Sequence, residues 1–191
     1  MFRWFETRID PFKEADAGPP PSGLTGFYLH FVRPVWPAFA ALLVAGFLGS
    51  AIEVALFAFI GSLVDMMKAS SAPEAFFAEH WRVLLFMGFL ALVVRPVVSV
   101  AHDLIKNQVI ATTFTNRIRW QTHRYVLRQS LAFFQNDFAG RIANKIIQTA
   151  PALRESIVQL IDALWYAAVQ FFGAVVLFGA ADWHLILPLA A

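Results

Sequence analysis

Three apolar runs constrain this chain more than anything else in it. They cover 34–64, 83–101 and 157–181, and each carries one charge: Glu53, Arg95 and Asp162. A bilayer core of about 30 Å is crossed by about 20 apolar residues in a helix, so each run is long enough to span. Lipid offers no partner to open backbone groups, so spans of this kind are helical. The sequence therefore predicts an all-α membrane protein with long transmembrane helices. After Asp182 a further apolar run, "WHLILPLAA", opens and the sequence stops within it. We expect this run, from 183, to be the start of a fourth span in which the chain is truncated.

Composition excludes the soluble classes. The chain is 59% hydrophobic and 15% charged, against about 45–50% and about 25% for a soluble domain. With no cysteine, disulfides, thiol chemistry and cysteine-type zinc sites are ruled out. The five histidines are scattered, no Ser-His-Asp or paired-carboxylate pattern stands out, and we expect no catalytic residue and no metal. No glycine is followed by glycine or lysine, so the phosphate-cradling G-x-x-x-x-G-K-[ST] loop is absent.

The first 33 residues lack the layout of a secretory signal, whose apolar stretch lies near the start and is short. Phe2, Phe5, Ile9 and Phe12 recur at one helical face, interrupted by Pro11. Residues 1–16 fit an amphipathic helix on the membrane surface or a frayed tail, with a linker at 17–23 and a second interfacial segment at 24–33. The first domain is thus a cytoplasmic amphipathic and linker segment over 1–33, followed by a partial transmembrane domain over 34–191.

Charge sets the orientation. The connection 102–156 holds eight Lys/Arg and three acids, whereas 65–81 holds one Lys against Asp65, Glu74 and Glu79. The excess of Lys and Arg belongs on the cytoplasmic side, together with the N-terminus. A net charge of +2 is mild, and it reads as this membrane bias rather than nucleic-acid binding. The multi-pass protein is expected in the cell's inner (plasma) membrane, with the lipid bilayer as its first partner and no nucleic acid.

No glycine or proline interrupts 102–139. Ile110, Phe114, Ile118 and Tyr125 recur at one face, and Arg117, Arg124 and Arg128 at another. A helix running from the second span to 132 would extend about 77 Å, far beyond the lipid. The chain must then turn and return, with a helix resuming at about 149 and leading into the third span. The turn falls on "FFQNDFAGRIANKI" (133–146), where Phe133, Phe134 and Phe138 stand beside Gln135, Asn136, Asp137, Ala139 and Gly140. Aromatics at such a tip need a partner's groove to bury them.

Within the spans, Glu53 and Arg95 both lie about 18–20 Å below the outer turn, on antiparallel neighbouring helices, so an ion pair is geometrically possible. A charge at that depth costs about 2.5–3.5 kcal/mol on insertion scales, and such residues face the bundle interior or an aqueous path. They are either lining for a substrate path or a structural pair. Pro96 removes a helical hydrogen bond and predicts a kink. Asp162 falls at the inner boundary, within reach of water or a basic neighbour. Ala41, Ala45 and Gly49 form a ladder of small residues suited to close helix approach.

"SLAFFQNDFAGRIANKI", then "ALRESIVQLIDAL", then a span closing on "ADWHLIL", resembles the membrane domain of ATP-binding-cassette (ABC) exporters. The resemblance implies a type I exporter fold with six spans, long cytoplasmic extensions, a second transporter half as homo- or heterodimer partner, and a nucleotide-binding domain carrying ATP and magnesium. It implies that Phe133, Phe134, Gln135, Asn136, Asp137, Phe138, Ala139 and Gly140 form the first coupling helix, docked on that nucleotide-binding domain. Spans five and six, most of span four and the ATPase domain are not in this sequence, so the chain alone is expected to be inactive. The alternative reading is a small three-span anchor that contacts a cytoplasmic partner through its basic hairpin.

Overall fold

The computed structural model describes residues 9–13, 21–69, 73–135 and 137–181. Among them there is helix and no strand. The helices are α1 (Leu24–Val32), α2 (Trp36–Ala69), α3 (Pro73–Phe89), α4 (Arg95–Leu104), α5 (Thr115–Leu127), α6 (Leu131–Gln135) and α7 (Ala139–Ala181). A 3₁₀ turn, Arg33–Val35, joins α1 to α2, and wide π-type segments at Leu90–Val94 and Ile105–Phe114 precede α4 and α5. Three stretches, Leu24–Lys68, Phe76–Leu127 and Ala139–Gly179, are long and apolar enough to cross a membrane. The expected fourth span from 183 lies outside the described residues.

Pro34 and Pro73 sit where helices tolerate proline, whereas Pro151 lies inside α7. Pro34 opens the 3₁₀ turn and Pro73 opens α3; an amide at a first turn has no helical acceptor, so nothing is lost there. Pro96 is different, because its ring would crowd the carbonyl of Leu92 in a regular helix. The chain answers with the wide segment Leu90–Val94, in which the Arg95 amide donates to Leu90 O, five residues back. The disturbance expected at Pro96 thus takes the form of a π turn.

The chain divides into two compact units. The first comprises Met1–Leu43 and Asp103–Ile161, and it contains the buried apolar cluster. Val35, Phe39 and Leu42 are spaced by four and three residues; Ile110, Phe114 and Ile118 by four; Ala150, Leu153 and Ile157 by three and four. Each set lines one helical stripe, and the three stripes close on one another with Phe31 and Ile9. Phe39 and Phe114 meet edge to face at 5.3 Å, the arrangement aromatic quadrupoles prefer. The segment 24–33 is the helix α1, whose Phe27, Tyr28 and Val32 pack against this cluster. The Tyr28 hydroxyl lies 2.8 Å from Ser156 Oγ, which also donates to Leu153 O at 3.0 Å.

The amphipathic helix expected over 1–16 does not form across 9–13, which is a bend and turn. Pro11 lacks an amide hydrogen, and Asp10 Oδ1 accepts the Phe12 amide at 2.9 Å, an Asx turn that competes with helix. The remainder of that stretch lies outside the described residues. Ile9 nevertheless sits in the cluster, Phe12 meets Trp120 edge to face at 5.4 Å, and Arg117 Nη1 reaches Asp10 O at 3.5 Å.

The helix expected to run to 132 stops at Leu127. Arg128 takes φ −89° and ψ 0°, its amide and that of Gln129 bond only three residues back, and Gln129 Nε2 donates to Tyr125 O at 3.1 Å. A tightened last turn, with the Gln129 side chain sharing the Tyr125 carbonyl with the Arg128 amide, ends the helix without glycine. The returning helix begins before 149, at Ala139, where Phe138 O accepts the amides of Arg141 and Ile142.

The second unit comprises Val44–His102 and Asp162–Ala191. Its large apolar side chains are mostly exposed, Leu92, Val97, Phe172 and Val176 among them. Such a surface is untenable in water and natural in lipid or against further spans.

Candidate functional site

Two constellations stand out, one in each unit. The first is the turn between α5 and α7. Ser130 O accepts the Phe133 amide at 3.0 Å and starts the one-turn helix α6. Phe133 and Phe134 pack edge to face at 5.4 Å and remain about 40% exposed, while Phe138 is 76% exposed. Asp137 anchors the turn. Its Oδ1 accepts the Phe138 amide at 2.9 Å, and its carboxylate pairs with Arg141 at 3.1 Å and Lys145 at 3.6 Å. An acid just ahead of a helix also complements the positive end of the helix dipole. The Arg141 guanidinium lies 5.6 Å from the Phe138 ring centroid. Gln135 closes α6, and Ala139 and Gly140 open α7. Asn136 lies outside the described residues. A charge-braced turn thus leaves three aromatic rings partly or largely exposed.

The second constellation is intramembrane by sequence. Arg95 Nη2 donates to Glu53 Oε1 at 3.1 Å, so the two charged residues singled out by the sequence are brought together. Gln170 Nε2 donates to the other oxygen, Glu53 Oε2, at 3.2 Å. One carboxylate therefore ties α2, α4 and α7. Gln170 was not singled out by the sequence reading. The available signal was a polar residue inside the third apolar run, which periodicity alone does not separate from a lipid-exposed glutamine.

Nearer the expected inner boundary, His102 Nε2 lies 3.6 Å from Asp162 Oδ1. Gly46 lies beside this corner, where a Cβ would make ordinary contacts 3.6 Å from Trp165 and 4.0 Å from His102. The small-residue ladder has a different outcome at its far end, because a Cβ on Gly49 would meet open space. The tightest approach is at Gly173, where a Cβ would fall 2.6 Å from Val54 Cγ2.

Arg117, on the arginine stripe, is 7% exposed. Burial pushes its pKa down, and the Asp10 carboxylate opposes the shift. Among the described residues no three His, Asp or Glu side chains gather as a metal would need.

Comparison with known proteins agrees with this architecture. The chain is 33% identical over 190 residues to an uncharacterized ABC transporter ATP-binding protein of Haemophilus influenzae, covering 98% of this chain and 30% of that protein. It is 24% identical over 162 residues to ABC transporter B family member 1 of Dictyostelium discoideum, covering 83% of this chain and 17% of that protein. It is 27% identical over 110 residues to the ABC multidrug transporter MDR5 of Trichophyton rubrum, covering 58% of this chain and 8% of that protein. The chain thus spans less than a third of the length of each of these relatives. No solved structure gives a significant match. Residues 39–191 match the family described as the ABC transporter transmembrane region, and with its helical, three-span architecture the chain belongs to that family.

Proposed function

We propose that this chain is membrane-spanning machinery of an ATP-driven exporter, and that residues 133–140 are the coupling helix that docks on a nucleotide-binding domain. The observation that carries this reading is the turn after α5. Three aromatic rings stand exposed there, on a backbone braced by Asp137, Arg141 and Lys145. Exposed aromatics on such a turn are suited to fill a partner's groove. Movement of the partner on ATP binding would pass through Phe133 and Phe134 into α5 and α7.

In this reading the lipid bilayer surrounds the spans, a second half completes a homo- or heterodimer, and the N-terminus faces the cytoplasm of a cell whose inner membrane holds the protein. ATP and magnesium belong to the nucleotide-binding domain. The sequence here has no glycine-lysine pair to cradle a phosphate. Glu53 and Arg95 either line the substrate path or act as a structural pair.

The test is made in the full transporter, reconstituted in vesicles. Phe134→Ala and Asp137→Ala should each abolish transport and substrate-stimulated ATP hydrolysis while membrane insertion is unchanged. Unaltered transport and stimulation in both variants would show that the coupling contact lies elsewhere.

A further inference from the structure

The segment 9–13 is joined to the first unit by contacts of unequal quality. Ile9 is 6% exposed and sits in the buried cluster. Phe12 lies edge to face on Trp120 at 5.4 Å, yet it is 65% exposed. Between these two, the Asp10 carbonyl lies over Arg117 and accepts from its Nη1 at 3.5 Å, longer than an ordinary hydrogen bond. Pro11 and the Asx turn at Asp10 keep the segment out of helix, so it crosses α5 as a short irregular strip.

The polar groups beneath this strip are poorly served. A guanidinium carries five N–H donors. Arg117 is buried, and among the described residues its one hydrogen bond is the long contact to Asp10 O. The Asp10 carboxylate does not close on it, because Oδ1 accepts the Phe12 amide within the segment's own turn. Burial accordingly pushes the Arg117 pKa down in spite of that carboxylate. Trp120 Nε1 is likewise covered and has no acceptor among the described residues. Covering donors without partners is costly, and water would satisfy them at once on release. Docking is therefore opposed by the polar groups under the segment and favoured by Ile9 and the aromatic contact. A permanent brace would pair its buried cation.

We propose that residues 9–13 are a strap that opens and closes over α5, with Ile9 as its anchor and the covered Arg117 as the group that drives release. Closed, the strap ties α5 to the cluster shared with α1, α2 and α7. Open, it frees α5, which leads directly into α6 and the exposed turn. A cycle that moves this turn needs the strap open. That last step rests on the exporter reading, whereas the opening itself is measured without it.

The experiment uses the full transporter in phosphatidylcholine nanodiscs. This chain has no cysteine of its own, so introduced ones report on it alone. Labelling of Ile9→Cys by a water-soluble maleimide is timed against that of Ala150→Cys, which is fully buried in the same cluster. Ile9→Cys should label about tenfold faster or more, because the strap opens locally while the cluster stays closed. Adding Arg117→Met should slow that labelling by about tenfold, since docking no longer covers a charge; a strap held in place by Arg117 would label faster instead. Separately, Phe12→Cys with Trp120→Cys is bridged by a short bis-methanethiosulfonate that reductant removes. The bridge should form within one chain and abolish substrate-stimulated ATP hydrolysis, and reductant should restore it. Ile9→Cys that labels no faster than Ala150→Cys, faster labelling with Arg117→Met, absence of the bridge, or undiminished hydrolysis with the bridge in place each overturns the proposal. A protein that hydrolyses no ATP even unbridged would count against the exporter reading, and the labelling rates alone would then decide the strap.

Discussion

Gly173 and Val54 meet so closely that no side chain fits between them. A Cβ on Gly173 would stand 2.6 Å from Val54 Cγ2 and 3.0 Å from Cγ1. Valine in a helix has essentially one side-chain rotamer, so its methyl groups cannot swing away. Within the second unit α2 and α7 come close together here, and glycine permits it by having nothing to place there.

Gly173→Ala should therefore destabilise the protein by about 1–3 kcal/mol, the usual range for forcing atoms into a filled contact. Thermal unfolding in detergent reads the loss. The decisive comparison is Gly173→Ala combined with Val54→Ala, which removes both opposing methyl groups and should recover most of it. A Gly173→Ala variant that unfolds like the parent would show that the helices separate at no cost.

The buried cluster gives a larger expectation. Phe114 is fully buried and packs on Phe39 at 5.3 Å. Truncation to alanine leaves a cavity and should cost about 3–5 kcal/mol. Tyr125 shares its sequence stripe but is 39% exposed, so Tyr125→Ala should change stability by less than about 1 kcal/mol. Comparable losses from the two substitutions would mean that the stripe packs along its whole length.

That contrast shows what was legible in the sequence. Three spans and the stripe Ile110–Phe114–Ile118 followed from period and length alone, because lipid and a helical face impose both. That Glu53 and Arg95 could pair followed from equal depth on neighbouring helices. Gln170 did not, since sequence does not say which way one polar residue in an apolar run faces. Nor did the end of α5 at Leu127: the stop is made by Gln129 reaching the Tyr125 carbonyl, a local competition with no glycine or proline to announce it. The wide segment Ile105–Phe114 was hidden for a similar reason. There the Thr112 and Thr113 hydroxyls donate to Gln108 O and Val109 O, back-bonding that composition does not reveal.

At the exposed turn, stability and coupling should separate. Asp137 pairs with Arg141 and Lys145, whose side chains are largely exposed, and exposed ion pairs contribute about 0–1 kcal/mol. Asp137→Asn should thus lower the unfolding free energy by less than about 1 kcal/mol. The effect should shrink further in high salt, where such pairs are screened. A loss of several kcal/mol in the same assay would make Asp137 a folding determinant, and any transport defect of its variants would then say nothing about docking.

Arg117 offers the sharpest test of the first unit. It is buried, its described hydrogen bond is a long one to Asp10 O at 3.5 Å, and desolvation outweighs the opposing pull of the Asp10 carboxylate on its pKa. A depressed pKa in a cation means that folding disfavours the charged form. The penalty is present at every pH below that depressed value, and only strongly alkaline conditions would relieve it, because arginine stays protonated across the ordinary range. Replacing a buried, imperfectly compensated charge by an apolar side chain of similar length is often neutral or stabilising by about 1–4 kcal/mol. Arg117→Met should therefore unfold at the same temperature as the parent or above it, whereas Arg117→Ala should fall below it by opening a void beside Ile118. Thermal unfolding of both variants decides the matter. If Arg117→Met is the less stable of the two, the contact with Asp10 holds the segment 9–13 in place more strongly than its geometry indicates.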